Sequence, residues 1–276
     1  SCDIPFVTSG TGQKEPLLLI HGWPQTWQTW NRLRPLLDEH LVITPDLRGL
    51  GDSGVTDDGY DKLSLAEDMA ELYRSLDLPG GFIVGHDWGG VVAFYTAWLL
   101  KDQTKGLVVL DVTIPGSPGS VDIAQGGRRW HHGFNKSGVA EELVSACPDP
   151  YFRWFYQALG ARPDVMDEAA IQAYLESYRQ PARVRAGLQL YHSTPIDEAN
   201  AARVEPRGLP FPVLALGGDR SWGRGSEVLR SLSYFANDIQ GGEVPECGHW
   251  IPEEKPDYLA DQLRTFFEHC RRSASG

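Results

Sequence analysis

The chain has 276 residues, 41% of them hydrophobic and 22% charged, with a net charge of −12 and a pI near 5.1. That composition supplies a full core without disulfides or metals and argues against disorder. It also argues against nucleic acid and anionic membrane surfaces, which need a basic footprint, and no apolar run approaches the roughly 20 residues of a membrane span.

In chain order, Pro16–Ile20 contains the run Leu17-Leu18-Leu19-Ile20 and predicts a buried strand. The turn His21-Gly22-Trp23-Pro24 follows it directly. Leu41–Thr44 predicts a second strand, leading into Pro45-Asp46-Leu47-Arg48-Gly49-Leu50-Gly51-Asp52-Ser53. Ser64–Ser75 has helical spacing. Gly81–Val84 is a third strand, then comes Gly85-His86-Asp87-Trp88-Gly89 and a helix over Val91–Leu100. Gly106–Leu110 is a fourth strand, ending at Asp111. Short apolar runs bounded by Gly, Pro or Asp suit strands covered on both faces, and their alternation with helices predicts βαβ units and a mostly parallel sheet.

From about Pro115 to Pro206 strand runs stop, and aromatic residues with helical spacing take over. A segment of roughly 90 residues is too long for a bare loop, so a helical insertion is expected at 116–206, between core segments 1–115 and 207–276. The pattern resumes with the strand Val213–Leu216, Asp219 after Gly217-Gly218, the motif Cys247-Gly248-His249-Trp250, and a helix over Asp257–Cys270. Cys2, Cys147, Cys247 and Cys270 form no C-x-x-C pair. Free thiols are expected, with a Cys247–Cys270 bridge as the alternative.

Asp87 sits in a strand–turn–helix with glycines two positions before and after it. Such a turn crowds its neighbours and lifts the central side chain clear of the sheet. The residues alone also fit an aspartate that caps a helix. The turn at Gly22-Trp23 can aim the Trp23 N–H at a developing oxyanion. His249, and either Asp111 or Asp219, would complete a triad, although each alone fits an ordinary turn or core residue. Their order is oxyanion turn, elbow, acid and histidine. All fall at the C-terminal ends of predicted parallel strands, where open α/β sheets bind ligands.

This order and wording resemble the α/β-hydrolase superfamily, and within it the epoxide hydrolase and dehalogenase branch, whose nucleophile is an aspartate. Trp130-His131, Ser177-Tyr178-Arg179-Gln180-Pro181, Tyr191 and the ending Cys247–Glu254 are similar to the Cif-type bacterial epoxide hydrolases. The resemblance implies an α/β-hydrolase fold with a helical cap. It also implies Asp87 as nucleophile, His249 as base and a cap pair, His131 and Tyr191, holding the epoxide oxygen. The oxyanion hole would use the N–H groups of Trp23 and Trp88. In that group the acid ends the strand before the cap, which is Asp111. Most other epoxide hydrolases place it after the next strand, which would make it Asp219. The strand region that usually precedes Phe6-Val7 is abbreviated here.

A carboxylate suits the reaction, since attack on an epoxide carbon leaves an ester that water can cleave, whereas serine would leave an inert ether. The nearest alternative is a haloalkane or haloacid dehalogenase, which shares the ester chemistry. Fluoroacetate dehalogenases place arginines one and four positions after the nucleophile, where this chain has Trp88 and Val91. An esterase is disfavoured by Asp87, and a non-catalytic binding protein by the intact set of triad residues. No cofactor motif appears, and the adjacent His131-His132 has no convergent third ligand to suggest a metal. The expected partners are a small epoxide and water, without nucleic acid or membrane, in a monomer or homodimer. The expected location is cytoplasmic. A secreted or periplasmic one stays open, because the first residue is Ser rather than Met.

Overall fold

The protein is described by a computed structural model covering residues 2–118, 127 and 129–273. Of the expected insertion, residues 119–126 and 128 lie outside the described residues. In chain order the core begins with β1 (Phe6–Ser9), β2 (Lys14–Ile20) and β3 (His40–Pro45). It continues with α1 (Lys62–Ser75), β4 (Gly81–His86), α2 (Trp88–Leu99) and β5 (Thr104–Leu110). Six helices follow: α3 (Trp130–Asn135), α4 (Ala140–Ala146), α5 (Pro148–Ala158), α6 (Glu168–Tyr178), α7 (Pro181–His192) and α8 (Thr194–Ala201). The sheet then resumes with β6 (Val213–Gly218), α9 (Glu227–Leu232) and β7 (Ile239–Val244), and the chain closes with α10 (Ile251–Glu254) and α11 (Pro256–Ser273).

The seven strands lie in the order β1-β3-β2-β4-β5-β6-β7, all parallel except β1. This is an α/β-hydrolase fold. The apolar runs are central strands because both faces are covered. Along β2, Leu18 and Ile20 join the cluster under α1, α2 and the inserted helices. Leu17 and Leu19 join a second cluster against Leu259, Leu263, Phe266 and Phe267 of α11. Each fully buried side chain of this size contributes about 1.5–3 kcal/mol. Helix α1 starts where Asp61 accepts a hydrogen bond from the Ser64 N–H at 3.1 Å.

Two strands had no sequence signal. β1 is an edge strand of exposed and half-buried residues, and β7 carries Gly241 and Gly242 with only Val244 fully buried. All four cysteines are free, so the Cys247–Cys270 bridge does not form.

Candidate active site

β4 delivers Asp87 to the C-terminal edge of the sheet at φ 52° and ψ −134°, a conformation that non-glycine residues avoid and that marks strained functional turns. The neighbouring glycines make the turn feasible. A Cβ on Gly89 would lie 2.1 Å from the His21 carbonyl oxygen, and one on Gly85 would lie 2.1 Å from the Gly89 carbonyl oxygen. Asp87 occupies the N-cap position of α2, yet its carboxylate makes no capping bond. Instead Oδ1 accepts the Trp23 N–H at 3.0 Å, and Oδ2 faces His249 Nε2 at 3.5 Å. The open choice between helix cap and elbow therefore resolves to the elbow geometry.

The other face of His249 meets Asp111. His249 Nδ1 donates to Asp111 Oδ2 at 2.6 Å, while Asp111 Oδ1 accepts the Gly218 N–H at 2.9 Å and the Arg224 N–H at 2.8 Å. Asp111 is fully buried, so these donors replace the water it has lost. Asp219 is not brought to the imidazole. It accepts the Cys247 N–H at 3.2 Å and lies 3.8 Å from Arg220.

Burial disfavours a charged imidazole, but hydrogen bonds to Asp111 and Asp87 outweigh it and raise His249 to about 9. Burial likewise disfavours a charged Asp87, but the hydrogen bond and charge of His249, with help from the Trp88 backbone N–H, hold the carboxyl below its usual range. At neutral pH the site therefore rests as an aspartate–imidazolium pair.

The inserted helices bring His131 and Tyr191 over this pair. A narrow cavity with about 30 Å³ of free space is lined by Asp87, His249, His131, Tyr191, Trp23 and Trp222. His131 stacks on Trp23 with ring centroids 6.1 Å apart, and Tyr191 stands edge-on to Trp23 and Trp88 at 5.1 and 5.5 Å. Burial pushes His131 down to about 3, so it is a neutral imidazole, and its Nδ1 has no hydrogen-bond partner. Burial and the Asp87 charge push the Tyr191 phenol well above its ordinary value. Both side chains carry a hydrogen-bond donor and line the same cavity as Asp87.

Sequence reasoning missed the residues that hold this set in place. His86 Nε2 donates to the His249 carbonyl at 2.7 Å. Glu254 accepts the N–H groups of Ala161, Gly248 and Trp250 at 2.9, 3.0 and 2.9 Å, clasping the His249 loop to the end of α5. Glu254 lies in the quoted Cys247–Glu254 ending, but nothing there announced its bonding. Lys62, from α1, is fully buried with its ammonium 4.0 Å from the Trp88 ring centroid. It donates to the Leu190 carbonyl, to Ser193 Oγ at 3.1 Å and to Asp197 Oδ2 at 2.8 Å. Among the described residues no group of three His, Cys, Asp or Glu is placed to hold a metal ion.

Residues 17–262 match the model of the alpha/beta hydrolase family. A soluble epoxide hydrolase of Corynebacterium sp. (strain C12) is 37% identical over 277 residues, covering 96% of this chain and 94% of the relative. A fluoroacetate dehalogenase of Burkholderia sp. is 33% identical over 286 residues, covering 97% and 91%. The solved structure of the epoxide hydrolase CorEH superposes with a TM-score of 0.88 at 35% identity, covering 96% and 94%.

Proposed function

The chain belongs to the alpha/beta hydrolase family, and from that premise we propose that it is an epoxide hydrolase working through an ester on Asp87. The observation that carries the reading is a carboxylate at the elbow, paired with His249 at 3.5 Å beneath the hydrogen-bond donors Tyr191 and His131. In this reading residues 1–115 and 207–276 supply the nucleophile and triad, and the cap at 116–206 supplies the donors.

Ring opening begins with Asp87 attacking an epoxide carbon. The C–O bond breaks, the alkoxide takes the Tyr191 proton, and His131 shares its N–H with the same oxygen. Esterification removes the Asp87 charge that raised the His249 pKa. The imidazolium then returns a proton to the tyrosinate by way of solvent and becomes a neutral base. His249 next removes a proton from water, with Asp111 stabilising the imidazolium that forms. Hydroxide attacks the ester carbonyl, and the oxyanion is met by the N–H groups of Trp23 and Trp88. Release of the diol restores the aspartate–imidazolium pair, so epoxide and water are consumed with no net proton.

One turnover in heavy-oxygen water, with enzyme in excess, tests this. The label should enter the Asp87 carboxylate, and the first diol should carry solvent oxygen only at the trace level of background hydrolysis. Solvent oxygen passing directly into first-turnover diol would overturn the ester route.

The second reading is a dehalogenase using the same aspartate. Its support is the fluoroacetate dehalogenase relative and the buried Trp88 indole, which stands edge-on to Tyr191 at the cavity and carries an N–H that a halide could accept. The phenol favours the epoxide, because an alkoxide needs a proton whereas a halide does not.

A further inference from the structure

Two arginines line the cavity that holds Asp87 and His249. Arg129 immediately precedes α3, and Arg224 lies in the loop between β6 and α9. Neither belongs to the chemistry proposed above, apart from the Arg224 backbone N–H that braces Asp111. Both guanidinium groups lean on one oxygen. Glu227 Oε2 lies 3.1 Å from Arg129 Nη2 and 3.6 Å from Arg224 Nη1. Among the described residues no other carboxylate lies within 4.0 Å of either group. Among the described residues the only side-chain hydrogen bond of the Arg224 guanidinium goes to the Thr113 hydroxyl, at a long 3.4 Å.

The shared acid is also the outermost of the three. The Glu227 side chain is 25% exposed, against 16% for Arg129 and 10% for Arg224. Within direct contact distance the two cations share one carboxylate, while Asp111 and Asp87, which also attract Arg224, are already engaged with His249. Burial, together with the neighbouring Arg129, holds the Arg224 guanidinium down to about 10, still charged at neutral pH. An arginine fork matches a carboxylate bidentately, so the natural complement is an anion of that shape.

We propose that Arg129 and Arg224 form a carboxylate subsite, so that the preferred substrates are small epoxides bearing a carboxylate a few bonds from the ring. The proposal rests on the epoxide hydrolase reading for its ring, but not for its anion. Ring opening strengthens the interaction, because Asp87 loses its negative charge as the ester forms. The substrate carboxylate then faces the arginines with less competing repulsion, and binding energy gained on the way to the ester raises kcat/KM.

The test compares oxirane-2-carboxylate with methyloxirane, using halide release from chloroacetate and 1-chlorobutane as further arms. The wild type should process the epoxy acid with kcat/KM at least about tenfold above methyloxirane. Arg224→Gln and Arg129→Gln should each cut that ratio by about tenfold or more, and high salt should lower it in the wild type. Cyclopropanecarboxylate, an unreactive mimic, should bind the wild type in calorimetry, while cyclopropylmethanol should not. That binding decides the matter even where a variant fails to fold. If methyloxirane is opened as well as the acid and the mimic does not bind, the subsite is refuted while the epoxide reading stands. If neither epoxide opens but chloroacetate loses halide in an Arg224-dependent way, the subsite stands and the epoxide reading falls. A merely structural tie between cap and core would lower all activities together and leave the ratios unmoved, which also refutes the subsite.

Discussion

Replacing His249 with Gln should leave an enzyme that is alkylated and then stalls. Steady turnover should fall by about 10²–10⁴-fold, and an adduct of protein plus epoxide should accumulate in the mass spectrum. The expectation follows from the two half-reactions. Ring opening needs the Asp87 carboxylate and a proton donor above it, whereas ester hydrolysis needs a base for water. In the wild type His249 sits near 9 because of the two carboxylates beside it. Once Asp87 is esterified one of them is gone, so the imidazole pKa drops. Single-turnover hydrolysis should therefore rise with pH and level off at a pH below 9. In His249→Gln the cation that lowers the Asp87 pKa is missing, and burial then pushes it up. Alkylation of the variant should shift to higher pH than in the wild type. A variant that hydrolyses its ester at the wild-type rate would remove His249 from the mechanism.

Asp197→Ala should cost about 3–5 kcal/mol, because it leaves the Lys62 ammonium buried without its counter-ion. The unfolding midpoint should fall by about 10 °C or more. Lys62 and Asp197 are both fully inaccessible, and the pair joins α1 of the core to α8 of the insertion. Lys62→Met combined with Asp197→Leu should recover most of the loss, since an apolar pair needs no ionic compensation. Thermal and denaturant unfolding of the two variants distinguish these outcomes. Equal destabilisation of the single and double variants would show that the pair contributes through packing alone.

The central strands were legible because burial on both faces imposes apolar runs, as in Leu17–Ile20 and Val213–Leu216. β1 and β7 were not, because edge positions and glycines carry no such requirement. Asp87 and His249 stood out through their flanking glycines and fixed order. From the residues alone Asp111 and Asp219 read alike, since each ends a strand; the resemblance implied Asp111, and the path of the His249 loop brings the imidazole to it and not to Asp219. Lys62 left no trace at all. Its partners lie 128 to 135 positions away, and a lysine near the start of a helix is usually solvated. Arg129, Arg224 and Glu227 are equally silent, because their meeting depends on how the first part of the insertion packs on the core.

The elbow has a consequence for how such a protein changes over generations. Asp87 at φ 52° is wedged between glycines whose methylated versions would collide at 2.1 Å with backbone that belongs to α2 and the oxyanion turn. No local adjustment absorbs such a collision, so the nucleophile, its turn and the strand beneath vary together or not at all. The residues roofing the cavity are under no comparable constraint. They are side chains on short helices, and exchanging them moves no strand. New substrates are therefore reachable by point substitution in the roof while the bond-making apparatus stays fixed. One chassis can pass between related leaving groups without ever crossing an inactive fold.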